Sequence, residues 1–221
     1  MTEVDSILQT VKLEATSEKG KACQQSVIRA AELLKAGELV AFPTDTVYGL
    51  AAVASQPGAV TRLYVAKERP AEKAIPILIA DVNDLTAVVT TIGASVARLI
   101  AHFWPGGLTL ILPKSSAVPP EVSSTPNVAV RLPAMPLVRQ VIRAVGTPLA
   151  VTSANRSGQP SPRTAGEVMT QLGGRIAAIL DGGTCPGGVP STILDCTTNP
   201  PRILRAGAVS VESLHKVTTV V

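Results

Sequence analysis

Residues 39–50 read Leu39-Val40-Ala41-Phe42-Pro43-Thr44-Asp45-Thr46-Val47-Tyr48-Gly49-Leu50. Four apolar residues in a row predict a short buried strand, because a strand covered on both faces has no polar side to alternate with. It runs into Pro43, then into two threonines and an aspartate ahead of Gly49. Polar groups just past the C-terminal end of a strand are where open α/β sheets place ligands. Read alone, the segment is equally an ordinary turn in which Thr and Asp satisfy their own backbone. Upstream, Val27, Ala30, Ala31, Leu33 and Leu34 give 24–35 one apolar helical face, with Gly37 placed to end it. Downstream, 57–67 predicts a second helix with Ser55 as its cap and Val60, Leu63 and Tyr64 on one face. Helix, strand and helix around one polar turn predict an α/β fold.

The same rhythm continues along the chain. Strands are predicted at 75–80, 108–112, 128–132, 149–152, 176–180, 191–195 and 202–204, and helices at 81–89, 95–103, 137–145, 164–172 and 211–217. The elements interleave without a break in composition, which predicts a single domain. Short strands with prolines at their edges favour a twisted open mixed sheet with flanking helices over a regular doubly wound one. Residues 1–23 lack periodicity and read as an N-terminal arm, leaving 24–221 as the domain.

Composition narrows the chemistry. The 221 residues are 46% hydrophobic and 16% charged, which suits a packed core rather than a disordered chain. One Trp, two Tyr and two Phe leave that core to Ala, Val, Leu and Ile. No apolar run reaches the roughly 18 residues of a membrane span, and the N-terminus lacks the apolar stretch of a secretory signal. Cys23, Cys185 and Cys196 form no CxxC pair, which suits a reducing cytoplasm. With His102 and His215 as the two histidines, no protein-held metal is expected. The net charge of +4 permits an anionic ligand without announcing nucleic acid.

Three more clusters carry possible chemistry. Lys67, Arg69 and Lys73 surround Pro70, which extends the chain so that alternate cations can face one side, as a triphosphate would require. The plain alternative is a lysine complementing a helix C-terminus. Thr152-Ser153-Ala154-Asn155-Arg156-Ser157-Gly158 follows a predicted strand and forms either a phosphate-binding loop or a Ser/Asn-rich turn. Arg131 and Arg205 adjoin apolar runs, so each has either an internal carboxylate, such as Asp181 or Asp195, or an anionic ligand. No GxxxxGK[ST], GxGxxG or GxSxG sequence occurs.

The order of these pieces is more specific than any one of them. Pro43 to Leu50, Lys67-x-Arg69-Pro70 with Lys73, Trp104-Pro105-Gly106 and Val130-Arg131-Leu132-Pro133 are followed by Thr152-Ser153-Ala154-Asn155-x-Ser157-Gly158, Ser191-Thr192-Ile193-Leu194-Asp195 and Leu204-Arg205-x-Gly207. In this order the chain resembles the YrdC-type threonylcarbamoyl-AMP synthases over about residues 24–217, in their short form without an extra C-terminal domain. The resemblance implies a basic concave cavity on the α/β sheet. There L-threonine, bicarbonate and ATP, with Mg²⁺ on its phosphates, would give L-threonylcarbamoyladenylate and pyrophosphate for tRNA modification. Carried over by residue, it implies catalytic work by Lys67, Arg69, Ser153 and Asn155. It implies ATP binding by Arg69, Lys73, Asn127, Asn155, Arg163 and Arg205, and threonine binding by Thr46, Arg131, Ser153 and Ser191. Leu78 stands where some members have His, which implies fewer polar contacts to threonine. Downstream partners would be the proteins that transfer the threonylcarbamoyl group to tRNA.

The residue chemistry agrees with such a reaction, since threonine's amine and the resulting carbamate are themselves the nucleophiles. Two rival readings stay open. One is a double-stranded RNA or tRNA binder, which would want more surplus charge than +4, and more aromatics if it stacked single strands. The other is a carbamoyl-transfer domain of the same fold acting on another acceptor.

Overall fold

The computed structural model describes residues 9–16 and 20–221. In chain order the elements are β1 (Val11–Glu14), α1 (Lys21–Lys35), β2 (Val40–Phe42), β3 (Gly49–Val53), α2 (Pro57–Lys67), β4 (Ile77–Leu78), a 3₁₀ segment (Val82–Ala87) and α3 (Ala94–Phe103). They continue with β5 (Leu108–Pro113), β6 (Asn127–Arg131), α4 (Pro136–Val145), β7 (Leu149–Ser153), α5 (Ala165–Leu172), β8 (Ala178–Asp181), β9 (Thr192–Asp195), β10 (Arg202–Arg205) and α6 (Val211–His215). The strands form one sheet in the order β1-β8-β2-β3-β7-β4-β6-β5-β9-β10. Pairing is mixed: β2 runs parallel to β8 but antiparallel to β3, and β5 runs parallel to β9 but antiparallel to β6.

Alternation along the strands divides the core into two layers. Val40 and Phe42 face one layer with Val27 and Leu34 of α1 and Val138 and Ile142 of α4. Ala41, Leu50 and Ile77 face the other, with Leu63 of α2, Leu99 of α3 and Val168 of α5. Helices therefore cover both faces, which is why strands such as β2 and β3 are buried throughout. Leu63 is fully buried, so cutting it to Ala would cost about 2–5 kcal/mol.

The sheet departs from the sequence reading in several places. Val11–Glu14, inside the stretch read as an arm, is an edge strand parallel to β8, and α1 begins at Lys21, ahead of the expected boundary at 24. Residues 1–8 and 17–19 of that stretch lie outside the described residues. β3 was read only as part of a polar turn; its residues are buried on both faces and so show no period of two. The strand expected at 75–80 shrinks to Ile77–Leu78. Pro76 has no N–H to give, although its carbonyl accepts from Val151 N at 2.8 Å. The helix expected at 81–89 is a 3₁₀ segment closed by a capping box between Asp81 and Asp84. Ser55 does not cap α2: Gln56 occupies that position, and Pro57 opens the helix with no N–H to satisfy.

Candidate active site

The turn 43–48 joins β2 to β3 at the edge of a cleft of about 220 Å³. Thr44 Oγ1 donates to Val47 O at 2.7 Å and accepts from Thr46 N at 3.0 Å, closing a side-chain-stapled turn. This turn holds Thr46, nearly buried, against the end of β6. There Arg131 Nη1 donates to Thr46 Oγ1 at 2.9 Å and its Nε donates to Gly106 O at 2.8 Å. Arg131 Nη2 lies 2.7 Å from Asp45 Oδ2 in a largely buried ion pair. The internal carboxylate of Arg131 is thus Asp45. Asp181 instead receives Lys12, and Asp195 binds Thr197.

The opposite wall comes from β5, β9 and β10. Thr109 Oγ1 and Ser191 Oγ are 2.8 Å apart, and Arg205 Nη2 donates to Ser191 O at 2.7 Å and to Ser191 Oγ at 3.2 Å. Burial and the charge of Arg131 both depress the Arg205 pKa, so the two guanidinium groups feel each other. A Cβ on Gly207 would lie 2.3 Å from Pro190 O, so only glycine lets the chain after Arg205 pass this close. Likewise a Cβ on Gly187 would lie 2.5 Å from Asp45 O, where the loop 182–190 packs on the turn and Gly188 N donates to Thr46 O at 2.8 Å.

The third side is the end of α2. Lys67, 2% exposed, donates to Ser153 O at 2.5 Å and also to Asn155 O, with Asn155 Oδ1 at 3.5 Å. Burial first, and Arg69 second, push its ammonium down to about 7. Arg69 lines the cleft, held by Lys73 O at 3.2 Å and Ala74 O at 3.0 Å.

The cleft therefore gathers Thr46, Arg69, Arg131, Ser153, Ser191 and Arg205 from the residues singled out in the sequence. Lys67, Lys73, Asn127, Asn155 and Arg163 are not among its lining residues. Lys67 and Asn155 stand behind it, each fastening the loop after β7; Asn155 Nδ2 donates to Arg156 O and Gln159 O. Lys73 is exposed beyond Arg69, and Asn127 begins β6, at the opposite end of that strand from Arg131. Arg163 reaches Cys185 O at 3.3 Å and covers Gly188. The sequence reading missed Thr109, whose buried strand position looks like core filling, and gave Thr44 no separate role. Leu78 does line the cleft, as an apolar patch. Among the described residues, three arginines and no carboxylate line it.

Comparison with known proteins places this arrangement. The Sua5/YciO/YrdC family profile, described as telomere recombination, matches residues 32–207. The chain belongs to the Sua5/YciO/YrdC family. It is 44% identical to a Bacillus subtilis threonylcarbamoyl-AMP synthase over 86% of this chain and 56% of that protein. It is 38% identical to the Vibrio campbellii threonylcarbamoyl-AMP synthase over 79% of this chain and 95% of that one. The crystal structure of Pyrococcus abyssi Sua5 complexed with L-threonine superposes with a TM-score of 0.92 and 39% identity, covering 96% of this chain and 62% of that one. The chain thus spans little more than half of its longer Sua5-type relatives and nearly all of the shorter one.

Proposed function

We propose that this chain forms L-threonylcarbamoyladenylate and pyrophosphate from L-threonine, bicarbonate and ATP, for threonylcarbamoyl-adenosine modification of tRNA. The observation that carries the reading is the cleft where Arg69, Arg131 and Arg205 meet a wall of hydroxyls with no carboxylate among the lining residues. Such a cleft favours anions, and its hydroxyls suit a small polar amino acid. A relative of matching length carries the name of that synthase, and a longer relative of the same fold is a Sua5 protein complexed with L-threonine.

In this reading Arg131, held in place by Asp45, takes the threonine carboxylate. Thr46 and Ser191 face the β-hydroxyl. The amine attacks bicarbonate carbon with loss of water, giving a carbamate. A carbamate oxygen then bonds to the α-phosphorus as the α–β phosphoanhydride bond breaks and pyrophosphate leaves. Arg69 and Arg205 neutralise the phosphates, with Lys73 and Arg163 reaching in from the rim. Positioning and charge neutralisation suffice, so no protein nucleophile is required. Cys185 and Cys196 suit none, because burial pushes their thiols up to about 11 and about 12.

Mg²⁺ would enter on the nucleotide phosphates; among the described residues no cluster of three or more His, Cys, Asp or Glu comes together to hold a metal. The labile adenylate must be consumed by a transferase acting on tRNA. No helix among the described residues is long and apolar enough to cross a membrane. The test is to incubate the protein with ¹³C-bicarbonate, L-threonine and ATP and analyse products by mass spectrometry. A labelled threonylcarbamoyl adenylate is expected, and its absence under conditions where the protein stays folded rejects the proposal.

A further inference from the structure

Of the three arginines that line the cleft, Arg131 is held by Asp45 and Thr46, and Arg205 by Ser191. Arg69 has no such neighbour. Its guanidinium rests on two main-chain carbonyls of its own loop, Lys73 O at 3.2 Å and Ala74 O at 3.0 Å, four and five residues further along. A loop that bonds only to itself does not fix where its arginine points. Arg69 also lines a second cavity of about 610 Å³, with Tyr64, Val65, Pro120 and Glu121, so its side chain borders open space other than the cleft.

The outside hold comes from Tyr64 of α2, which is 9% exposed and does not line the cleft. Its main-chain carbonyl accepts the Arg69 N–H at 3.0 Å. Its hydroxyl has one proton, shared between Lys73 O and Glu121 O, each 3.1 Å away. Lys73 O therefore takes Tyr64 on one lone pair and Arg69 Nε on the other. Among the described residues, no other side chain from outside the loop hydrogen-bonds to residues 70–74. The next anchor is Ile75 N, which donates to Val122 O at 2.9 Å. We propose that Tyr64 is a positioning residue whose hydroxyl pins the Lys73 carbonyl, so that this carbonyl aims Arg69 at the nucleotide phosphates. The inference rests on the reading of Arg69 as a phosphate-binding group and deepens it.

Tyr64→Phe removes the hydroxyl and keeps the ring. The test is a double-mutant cycle of Tyr64→Phe and Arg69→Ala, read as kcat/KM for ATP in pyrophosphate formation. Tyr64→Phe alone should lower this value about fivefold, the scale of one hydrogen bond. In the Arg69→Ala background the same change should cost less than about twofold, because the group it positions is gone. L-Threonine should bind wild type and Tyr64→Phe equally in calorimetry. A hydroxyl that serves only the fold would instead cost the same factor in both backgrounds. That result, full activity in Tyr64→Phe, a fall in threonine affinity, or a Tyr64→Phe chain unfolded by circular dichroism overturns the inference and leaves the synthase reading intact. Near-normal activity in Arg69→Ala removes Arg69 from the phosphate site and overturns the inference with it. Failure of wild type to form pyrophosphate overturns the functional reading as well.

Discussion

Lys67 and Asn155 are joined twice: the buried ammonium donates to the main-chain carbonyl of Asn155 and also reaches its side-chain Oδ1 at 3.5 Å. With Ser153 O, three acceptors meet three N–H donors. The return contact, Ser157 N to Lys67 O at 2.8 Å, completes a clasp between the end of α2 and the loop after β7. Lys67 therefore acts by holding the loop that carries Ser153, and Arg69 is the member of the pair that faces the cleft.

Replacing Lys67 with Met keeps most of its apolar stem and removes every donor. Two buried carbonyls lose their partner, which should lower stability by about 1–3 kcal/mol in urea unfolding. Unchanged stability would show that the clasp is not what holds the loop.

The same lysine sets a pH dependence. Its folded pKa is about 7 against an ordinary 10.5, so between those values the unfolded chain binds a proton that the folded chain lacks. Stability should rise with pH from about 7, by at most about 1.4 kcal/mol per pH unit. The thiols of Cys185 and Cys196 work oppositely. Their folded pKa values, about 11 and about 12, exceed the ordinary 9.0, so stability is lost as pH climbs above 9. Urea midpoints measured from pH 6.5 to 10 should peak near pH 8 to 9, and the rising limb should vanish in Lys67→Met.

Arg69 contributes to the cleft without bracing the core. Arg69→Ala should leave the circular dichroism spectrum and melting temperature close to wild type. It should cut pyrophosphate formation by about 2–4 kcal/mol of transition-state stabilisation, the scale for one charge-stabilising group. Near-normal turnover would remove Arg69 from the phosphate site.

Glu68 sits at φ 53°, a left-handed backbone unusual for a residue with a side chain. Its carboxylate receives Arg156 Nη2 at 2.8 and 2.7 Å and lies 2.8 Å from Arg175 Nη1, which ties this strained position to the loop after β7 and to the segment between α5 and β8. Glu68→Ala loses the ion pairs and keeps the backbone strain, while Glu68→Gly loses both. Gly should therefore melt higher than Ala, and the reverse order would mean that the left-handed conformation carries no cost.

How much of this was legible in the sequence depends on how local each feature is. α2 was predicted with its observed bounds, because one apolar face and Pro57 at its first turn are local signals. β3 was hidden because both of its faces are covered, and β1 because its residues become a strand only beside β8. The polar turn, Arg69, Arg131, Ser153 and Arg205 stood out as chemistry-bearing residues at strand and helix ends, Ser191 entered only through the family resemblance, and the cleft brings them together. The clasp role of Lys67 and the Asp45 partner of Arg131 were not visible. Both are contacts across distant segments, and a helix-terminal lysine reads as solvated until its burial is known. Thr109 escaped because a buried threonine in a strand is indistinguishable in sequence from β-branched filling, and Thr44 was read only as part of the polar turn.

The most direct test of the proposed chemistry is which phosphoanhydride bond of ATP breaks, and under what demand. Nucleotide products should be followed with L-threonine and bicarbonate supplied together and with each withheld in turn. Pyrophosphate should form only when both are present, with the adenylate as its partner product. Release of ADP and orthophosphate, or pyrophosphate formation indifferent to threonine, would contradict the assignment of this cleft to threonylcarbamoyl transfer onto AMP.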